Sequence, residues 1–478
     1  MIINIGLNDL KYRYDVYQMF NIYFPLDDIK FPKEDEIDKY DYVIKVYDNE
    51  VIFEKEDFKR EEKISDNIKD SIKLLIFKAL KEITSDEYPW GTLVGIRPSK
   101  IALKLLDEGK TEEEIVEYFY KKYMAMEEKA KLCIDVAKFE EKFVNKERNK
   151  IAIYIGMAFC PTRCLYCSFA SNPISGNKKL VRPYLDALSK EISKIKEYVD
   201  YKNLEIETVY FGGGTPTSVS NEEFEEIMNK VYNSFVKDKN IVEFTVECGR
   251  PDSITEEKLK TMKKYEVSRI SINPQTMNDE TLKLIGRNHS SEDVKEKFKM
   301  ARALGFKDIN MDMIIGLPGE GLENTKITAE EIKNLKPDSL TVHGLSLKRG
   351  SRLYENFILK KGLGIKSQDE ISKMYEESKE LAKDLGLIPY YMYRQKNMVG
   401  NMENLGYAKE GKECIYNMQM IEDKQTIIAL GADAVSKVVF LEENRIERFP
   451  NVKDVREYIN RIDEMIEGKI NLLDTLYK

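Results

Sequence analysis

From Ile151 onward, short apolar runs rich in β-branched residues alternate with charged helical stretches, and this repeat restricts the fold more tightly than any other feature. The runs are Ile151 to Ile155, Thr208 to Phe211, Val242 to Val246, Arg269 to Ile272, Ile309 to Ile315 and Ser339 to Val342. A helix between two strands returns the chain to the same end of the sheet, so successive strands lie parallel in βαβ units. Six such units predict an α/β protein built on a partial or complete (β/α)6 barrel. In such barrels chemistry sits at the carboxyl ends of the strands.

A chain of 478 residues exceeds one compact core. Its pattern changes twice, which predicts an α/β domain of unassigned role over 1–148, the barrel over 149–365, and a smaller α+β tail over 366–478. The first part holds the alternating run Tyr42 to Val46, a helical stretch near Ile68 to Ile83, and a pair of charged helices between Thr111 and Lys146. Tyr88 to Lys100 carries the only tryptophan with two glycines and two prolines, so a loop of special backbone geometry is expected there. The tail is expected to cap the barrel mouth and help hold a substrate.

The composition, 42% hydrophobic and 33% charged, is that of a globular protein. No apolar run approaches the ~20 residues of a membrane span. A net charge of -8 gives no general attraction for nucleic acid. The opening Met1-Ile2-Ile3-Asn4-Ile5-Gly6 lacks the basic and apolar regions of a signal peptide, so a cytoplasmic location is expected.

Three of the six cysteines fall in one loop after the first strand of the repeat, Cys160-Pro161-Thr162-Arg163-Cys164-Leu165-Tyr166-Cys167. Thiolates in C-x3-C-x2-C spacing can each hold one iron of a 4Fe–4S cubane, which leaves the fourth iron without a protein ligand. An open iron can chelate the amino and carboxylate groups of a cofactor such as S-adenosylmethionine (SAM). A zinc knot would need a fourth nitrogen or sulfur ligand, and no nearby pair supplies one. Cys133, Cys248 and Cys414 read as core thiols.

Polar residues recur where the strands end. Gly212-Gly213-Gly214-Thr215-Pro216 follows the second strand and lets backbone approach a ligand closely, although a plain tight turn has the same composition. Glu247, Gln275 and Asp312 end or follow the third, fourth and fifth strands. Charged or amide groups at strand after strand need a shared polar ligand, because burial without partners is costly. Arg287 lies near them in sequence, where a solvated helix end is the other reading.

Together these motifs resemble the coproporphyrinogen dehydrogenase group of radical SAM proteins. The resemblance spans roughly two thirds of the chain and includes the cysteine loop, Gly212 to Pro216, Arg269 to Thr276, Leu284 to Arg287 and Asp312 to Pro318. The long N-terminal part, the Gly91 to Pro98 loop and Tyr391 to Met398 point within that group to the HemZ type. The resemblance implies that Cys160, Cys164 and Cys167 hold a 4Fe–4S cluster. Gly213, Gly214 and Thr215 would contact the methionine part of SAM, and Glu247, Gln275, Arg287 and Asp312 its amino, carboxylate or ribose groups. Tyr166 and Phe169 would pack near the cluster and the adenine. It further implies anaerobic conversion of coproporphyrinogen III to protoporphyrinogen IX, in which two propionates become vinyl groups. Flavodoxin or ferredoxin would donate the electron. The four substrate carboxylates suit basic side chains, with Arg97, Lys348, Arg349, Arg352 and Arg394 as candidates and plain surface charges as the alternative.

Three departures from the group stand out. Ser168-Phe169 follows the third cysteine where relatives carry Asp, or Gly and a fourth cysteine. Asn273-Pro274-Gln275 replaces a Gly-Val-Gln. Related haem chaperones carry a histidine–asparagine motif in the tail, where this chain has Cys414-Ile415-Tyr416-Asn417-Met418. A haem-binding protein and a different radical SAM reaction on a tetrapyrrole remain as alternatives.

Overall fold

The computed structural model describes residues 2–25, 27–33, 39–65, 67–95, 97–169, 171–348, 350–355, 364 and 366–478. The first sheet has the order β2-β1-β3-β4-β5, from β1 (Ile2–Leu7), β2 (Asp28–Lys30), β3 (Tyr42–Val46), β4 (Glu50–Lys55) and β5 (Phe58–Lys63). Alternate residues Ile3, Ile5, Ile44, Val51 and Phe53 face one side. Helices α1 (Arg13–Tyr23) and α2 (Ile68–Thr84) lay Val16, Phe20, Ile72 and Leu75 on that side and close a small core.

The next helices pack elsewhere. Ala102, Ile115, Phe119 and Ile134, from α3 (Ser99–Asp107), α4 (Glu112–Tyr123) and α5 (Glu127–Glu140), belong to the core around the barrel. Residues 90–140 therefore join the barrel through side-chain packing, while the first sheet keeps a core of its own.

Six parallel strands form the barrel: β6 (Lys150–Met157), then, past the short β7 (Phe159–Cys160) and β8 (Asn172–Pro173), β9 (Glu205–Gly213), β10 (Glu243–Val246), β11 (Arg269–Ser271), β12 (Ile309–Ile315) and β13 (Ser339–Gly344). β6 and β13 do not pair, so the barrel is open. The tail widens it on both sides. β15 (Asn404–Ala408) adds antiparallel to β13 and carries β14 (Ile388–Tyr393) on its outer edge, while β16 (Thr426–Leu430) adds parallel to β6 and carries β17 (Val435–Phe440) and β18 (Arg445–Pro450).

Residues 366–478 thus extend the barrel sheet at both of its edges. The tail helix Ile415–Glu422 lies at the end opposite the mouth, where the amide of Ile415 donates to Glu243, the first residue of β10, at 2.6 Å. Arg269, the first residue of β11, donates there to the Lys412 carbonyl at 3.0 Å. Other parts of the tail reach the mouth side: the amide of Leu347 donates to the Asn397 carbonyl, in the turn between β14 and β15, at 3.0 Å, and Lys453 donates to the Ser168 carbonyl beside the cysteine loop at 3.3 Å.

Period-two alternation sorts the strand side chains into two sets. Ile151, Ile153, Ile155, Phe244, Val246, Ile270, Met311, Met313, Leu340 and Val342 point outward into the helical layer and are fully or nearly fully buried. The alternate set is polar or aromatic: Tyr154, Tyr210, Thr245, Glu247, Ser271, Asn310, Asp312, Thr341 and His343 line the interior. Tyr154, Tyr210, Glu247, Asp312 and His343 keep partial exposure. The barrel encloses a chamber rather than a packed apolar core. Outside it, Lys469 and Glu191, both fully buried, pair across the last helix (Ile462–Leu476) and the long helix Ile174–Tyr201. Among the described residues no helix is long and apolar enough to cross a membrane.

Candidate functional site

β6 and the short β7 deliver the cysteine loop to the carboxyl end of the barrel. Cys160 and Cys164 are buried and Cys167 is half-buried. Neighbouring loops brace the segment: the Leu165 amide donates to the Ile285 carbonyl at 3.0 Å, and the Thr162 hydroxyl to the Gly286 carbonyl at 2.7 Å. Burial pushes the Cys160 thiol up to about 12, with Cys167 and Cys164 near enough to add to the effect. Cys167 is raised too, first by burial. The Cys160 and Cys167 thiols, hard to ionise without a counter-charge, suit a cationic metal centre, which deprotonates the thiols it binds. Among the described residues no three His, Cys, Asp or Glu side chains converge as a single metal ion requires. A cubane instead takes each thiolate at a separate iron.

The glycine loop packs against this segment at β9. The Gly214 amide donates to the Met157 carbonyl at 2.6 Å and the Thr215 amide to the Phe159 carbonyl at 2.8 Å. A Cβ on Gly213 would come within 2.6 Å of the Met157 oxygen, and one on Gly214 within 2.5 Å of the Phe159 oxygen. Gly213 also has φ +98°. Glycine is thus required at both positions by close backbone approach. The Thr215 hydroxyl lies 3.4 Å from the Cys160 sulfur, so the glycine loop and the cysteine loop meet at one mouth.

Glu247 and Asp312 face each other across the chamber. Burial, with the Asp312 carboxylate opposite, pushes the Glu247 carboxyl up to about 7, against the opposing effect of His343 and Tyr210. Asp312 goes the other way: burial opposes its ionisation, but His343, Asn310 and Thr341 together hold its carboxyl below the usual range. The amides of Asn273 and Asn310 donate to its two oxygens at 2.7 Å each, and His343 Nε2 lies 3.6 Å away. Two carboxylates in one chamber are driven apart in proton affinity by their partners.

Two buried acceptors at the mouth, Gln275 Oε1 and Asn273 Oδ1, have no partner. Gln275 also sits at φ +66°, a conformation costly for a non-glycine residue. Backbone bonds with β12 hold it there, from its amide to the Asp312 carbonyl and from the Ile314 amide to its carbonyl, each 2.9 Å. Strain at a buried residue with an orphaned acceptor marks a place for a donor-rich ligand. An ammonium group, ribose hydroxyls and an exocyclic amine all supply such donors. The donor set therefore fits SAM as well as the thiols fit a cluster.

Arg287 is buried and donates to the Asn273 carbonyl at 2.6 Å. Its Nε has no partner, and Tyr166 and Cys164 lie beside it. Phe169 stands apart, with its ring 64% exposed beneath the Lys348 ammonium at 5.6 Å.

Two of the basic candidates are committed elsewhere. Arg97 pairs with Asp423 at 2.6 Å and donates to the Ile421 carbonyl, at the closed end of the barrel. Arg394 is buried on the Trp90 ring at 4.8 Å, with its guanidinium bonded to Leu93, Asn401 and Met402. It ties the Tyr88 to Lys100 loop to the tail and has no fork left for a carboxylate. Lys348, lowered in pKa by burial, and the exposed Arg352 stay near the cysteine loop, and Arg349 lies outside the described residues. Cys133, Cys248 and Cys414 are fully buried core thiols, as expected.

Sequence reasoning missed Arg250, whose guanidinium reaches the cysteine loop, and also Asn273, Asn310 and His343. It missed the tyrosines of the chamber as well: Tyr210 stacks on Tyr416 with centroids 4.4 Å apart, and Tyr154 lies 6.1 Å from each. The signal was present in the strands themselves, where most residues of one alternating register are polar or aromatic.

The radical SAM superfamily model matches residues 154–332, which take in the cysteine loop, the glycine loop and both carboxylates. The oxygen-independent coproporphyrinogen-III oxidase-like protein HemZ of Bacillus subtilis is 40% identical over 89% of this chain and 83% of its own length. The haem chaperone HemW of the same organism is 30% identical over 65% of this chain and 76% of its own. The crystallised coproporphyrinogen III oxidase HemN of Escherichia coli, a radical SAM enzyme, superposes with a TM-score of 0.52 at 20% identity. That match covers 69% of this chain and 73% of HemN.

Proposed function

Because the chain belongs to the radical SAM superfamily, within the HemZ-type coproporphyrinogen oxidase-like family, we propose that it converts coproporphyrinogen III to protoporphyrinogen IX without oxygen. The observation that carries this reading is the meeting of three thiols, a glycine cradle and orphaned buried acceptors at the mouth of one polar chamber.

Cys160, Cys164 and Cys167 would hold the 4Fe–4S cluster. When bound, cluster and SAM supply a 5′-deoxyadenosyl radical that abstracts a hydrogen atom. Each propionate would lose a hydrogen atom from its β carbon and then carbon dioxide, the remaining electron passing to a separate one-electron acceptor, to leave a vinyl group. A low-potential carrier of the flavodoxin or ferredoxin class would provide the cluster's electron. Gly213 and Gly214 let backbone meet the methionine part of the cofactor, and Thr215 flanks it. Glu247, Gln275 and Asn273 present acceptors to ammonium and hydroxyl groups. Asp312 is held ionised chiefly by His343, with Asn310 and Thr341, and would accept from a ribose hydroxyl. Arg287 and Tyr166 line the side next to Cys164. Lys348 and Arg352 are the described cations free to meet substrate carboxylates, and an ionised propionate would restore the charge that burial disfavours on Lys348.

The haem-chaperone reading draws less support. Cys414 and Tyr416 occupy its tail position, and both are buried at the closed end, where Cys414 lies 3.3 Å from Glu243. Neither is presented to a haem.

The test is an anaerobic assay of cluster-reconstituted protein with SAM, reductant and coproporphyrinogen III. Protoporphyrinogen and 5′-deoxyadenosine are expected together. Deoxyadenosine without porphyrinogen turnover rejects the substrate and keeps the chemistry, whereas stoichiometric haem binding with no product favours the chaperone. Changing Cys160, Cys164 and Cys167 to alanine should abolish iron loading and activity.

A further inference from the structure

Each thiol of the loop has a side-chain donor near its sulfur. The Thr215 hydroxyl lies 3.4 Å from Cys160, the Ser171 hydroxyl 3.7 Å from Cys167, and the Arg250 guanidinium 3.6 Å from Cys164. The donors at Cys160 and Cys167 are neutral, whereas Cys164 faces the Arg250 cation and has Arg287 beside it. Arg250 is only 3% exposed, and its planar fork is fully engaged. Nε and Nη2 donate to the two Asp252 oxygens at 3.0 and 2.8 Å. Nη2 also reaches the Thr162 hydroxyl at 2.9 Å, and Nη1 reaches the Thr162 carbonyl at 3.1 Å as well as the Cys164 sulfur.

A clamp for the loop would need only the Thr162 bonds. The remaining N–H places buried positive charge on one ligand sulfur, and Asp252 sets how much of that charge is felt. Asp252 stays ionised: burial opposes this, but His289 and Arg250 hold its carboxyl well below the usual range. In a water-poor pocket, hydrogen bonds and charges at the ligand sulfurs are a main lever on a cluster's reduction potential. Reduction adds one negative charge, so a cation at a ligand sulfur favours the reduced form.

We propose that Arg250 is a positioning residue that sets the cluster's potential through Cys164, with Asp252 attenuating its charge. This rests on the three-cysteine cluster reading, and the experiment separates the two. Protein reconstituted anaerobically is titrated with a reductant series, and the reduced cluster is followed by electron paramagnetic resonance, with iron and sulfide counted per chain. In Arg250→Gln the reduced fraction at fixed donor potential should fall about tenfold, which for one electron corresponds to about 59 mV. Arg250→Lys, which keeps the charge, should recover most of that loss. Asp252→Asn should move the potential in the opposite direction. A fully loaded Arg250→Gln at the wild-type potential overturns the proposal, as does a shift of Arg250→Gln and Asp252→Asn in the same direction. If Arg250→Gln does not load, Asp252→Asn and Arg250→Lys decide, and an unshifted Asp252→Asn overturns it. Wild-type protein that takes up no iron and sulfide instead sinks the cluster reading on which the proposal rests.

Discussion

Replacing Glu247 with glutamine should stabilise the cluster-free protein at alkaline pH while it weakens the cofactor site. Its carboxyl stands at about 7 instead of an ordinary 4.5, chiefly because burial disfavours the charged form and secondarily because Asp312 faces it. Each tenfold change in proton affinity is worth about 1.4 kcal/mol, so above pH 7 the ionised Glu247 costs the fold about 3 kcal/mol. The sign follows from linkage. A carboxyl raised in the folded state contributes stability that is complete below its unfolded value, near 4.5, and lost as pH climbs to about 7. Glutamine has nothing to ionise, so the variant keeps that stability. Wild type and Glu247→Gln should melt together near pH 4.5 and diverge as pH rises. With an unfolding entropy of about 1 kcal/mol per kelvin for a chain of this length, the variant should melt roughly 3 °C higher at pH 8. Anaerobic calorimetry of the metal-free protein at both pH values measures the divergence, and equilibrium dialysis of cluster-loaded protein measures SAM binding. A difference that does not grow with pH, or a variant less stable at pH 8, would refute the electrostatic account of the chamber.

Gln275→Gly should relieve the φ +66° strain and raise the melting temperature by the equivalent of about 1 kcal/mol, while SAM affinity falls by dialysis. Arg394→Ala should lower thermal stability, because it empties a buried guanidinium site between the Tyr88 to Lys100 loop and the tail, yet it should not act through substrate charge. Lys348→Ala and Arg352→Ala should instead raise the KM for coproporphyrinogen, with melting temperatures little changed. Lys469→Met leaves Glu191 buried without its cation and should cost about 3–5 kcal/mol, read as a lower denaturation midpoint.

The βαβ repeat placed the barrel strands within three residues, because alternating strands and helices leave few topologies open. The cysteine and glycine loops were legible for a related reason: close backbone approach and clustered thiols demand particular residues at fixed spacing. Less could be read of the tail. Nothing local tells β15 to pair with β13, or β16 with β6; those pairings depend on which barrel edges are left open. The role of Arg394 was misread because its partners, Leu93, Asn401 and Met402, are brought together only by that long-range packing.

The strands carried more information than apolar content alone conveys. In Glu243-Phe244-Thr245-Val246-Glu247 and Ser339-Leu340-Thr341-Val342-His343 the apolar residues occupy one register and the polar residues the other. A parallel strand buried on both faces ordinarily reads as a continuous hydrophobic run. When one face of such a strand is polar and the protein still covers the other with helices, the polar face must look into a space that holds water or ligand, because burying it dry would cost several kcal/mol per unpaired group. The partial exposure of Glu247, Asp312 and His343 beside fully buried neighbours such as Val246 and Met311 is the structural form of that argument. It makes the chamber, as much as the thiol loop, the part of this sequence that speaks for a ligand.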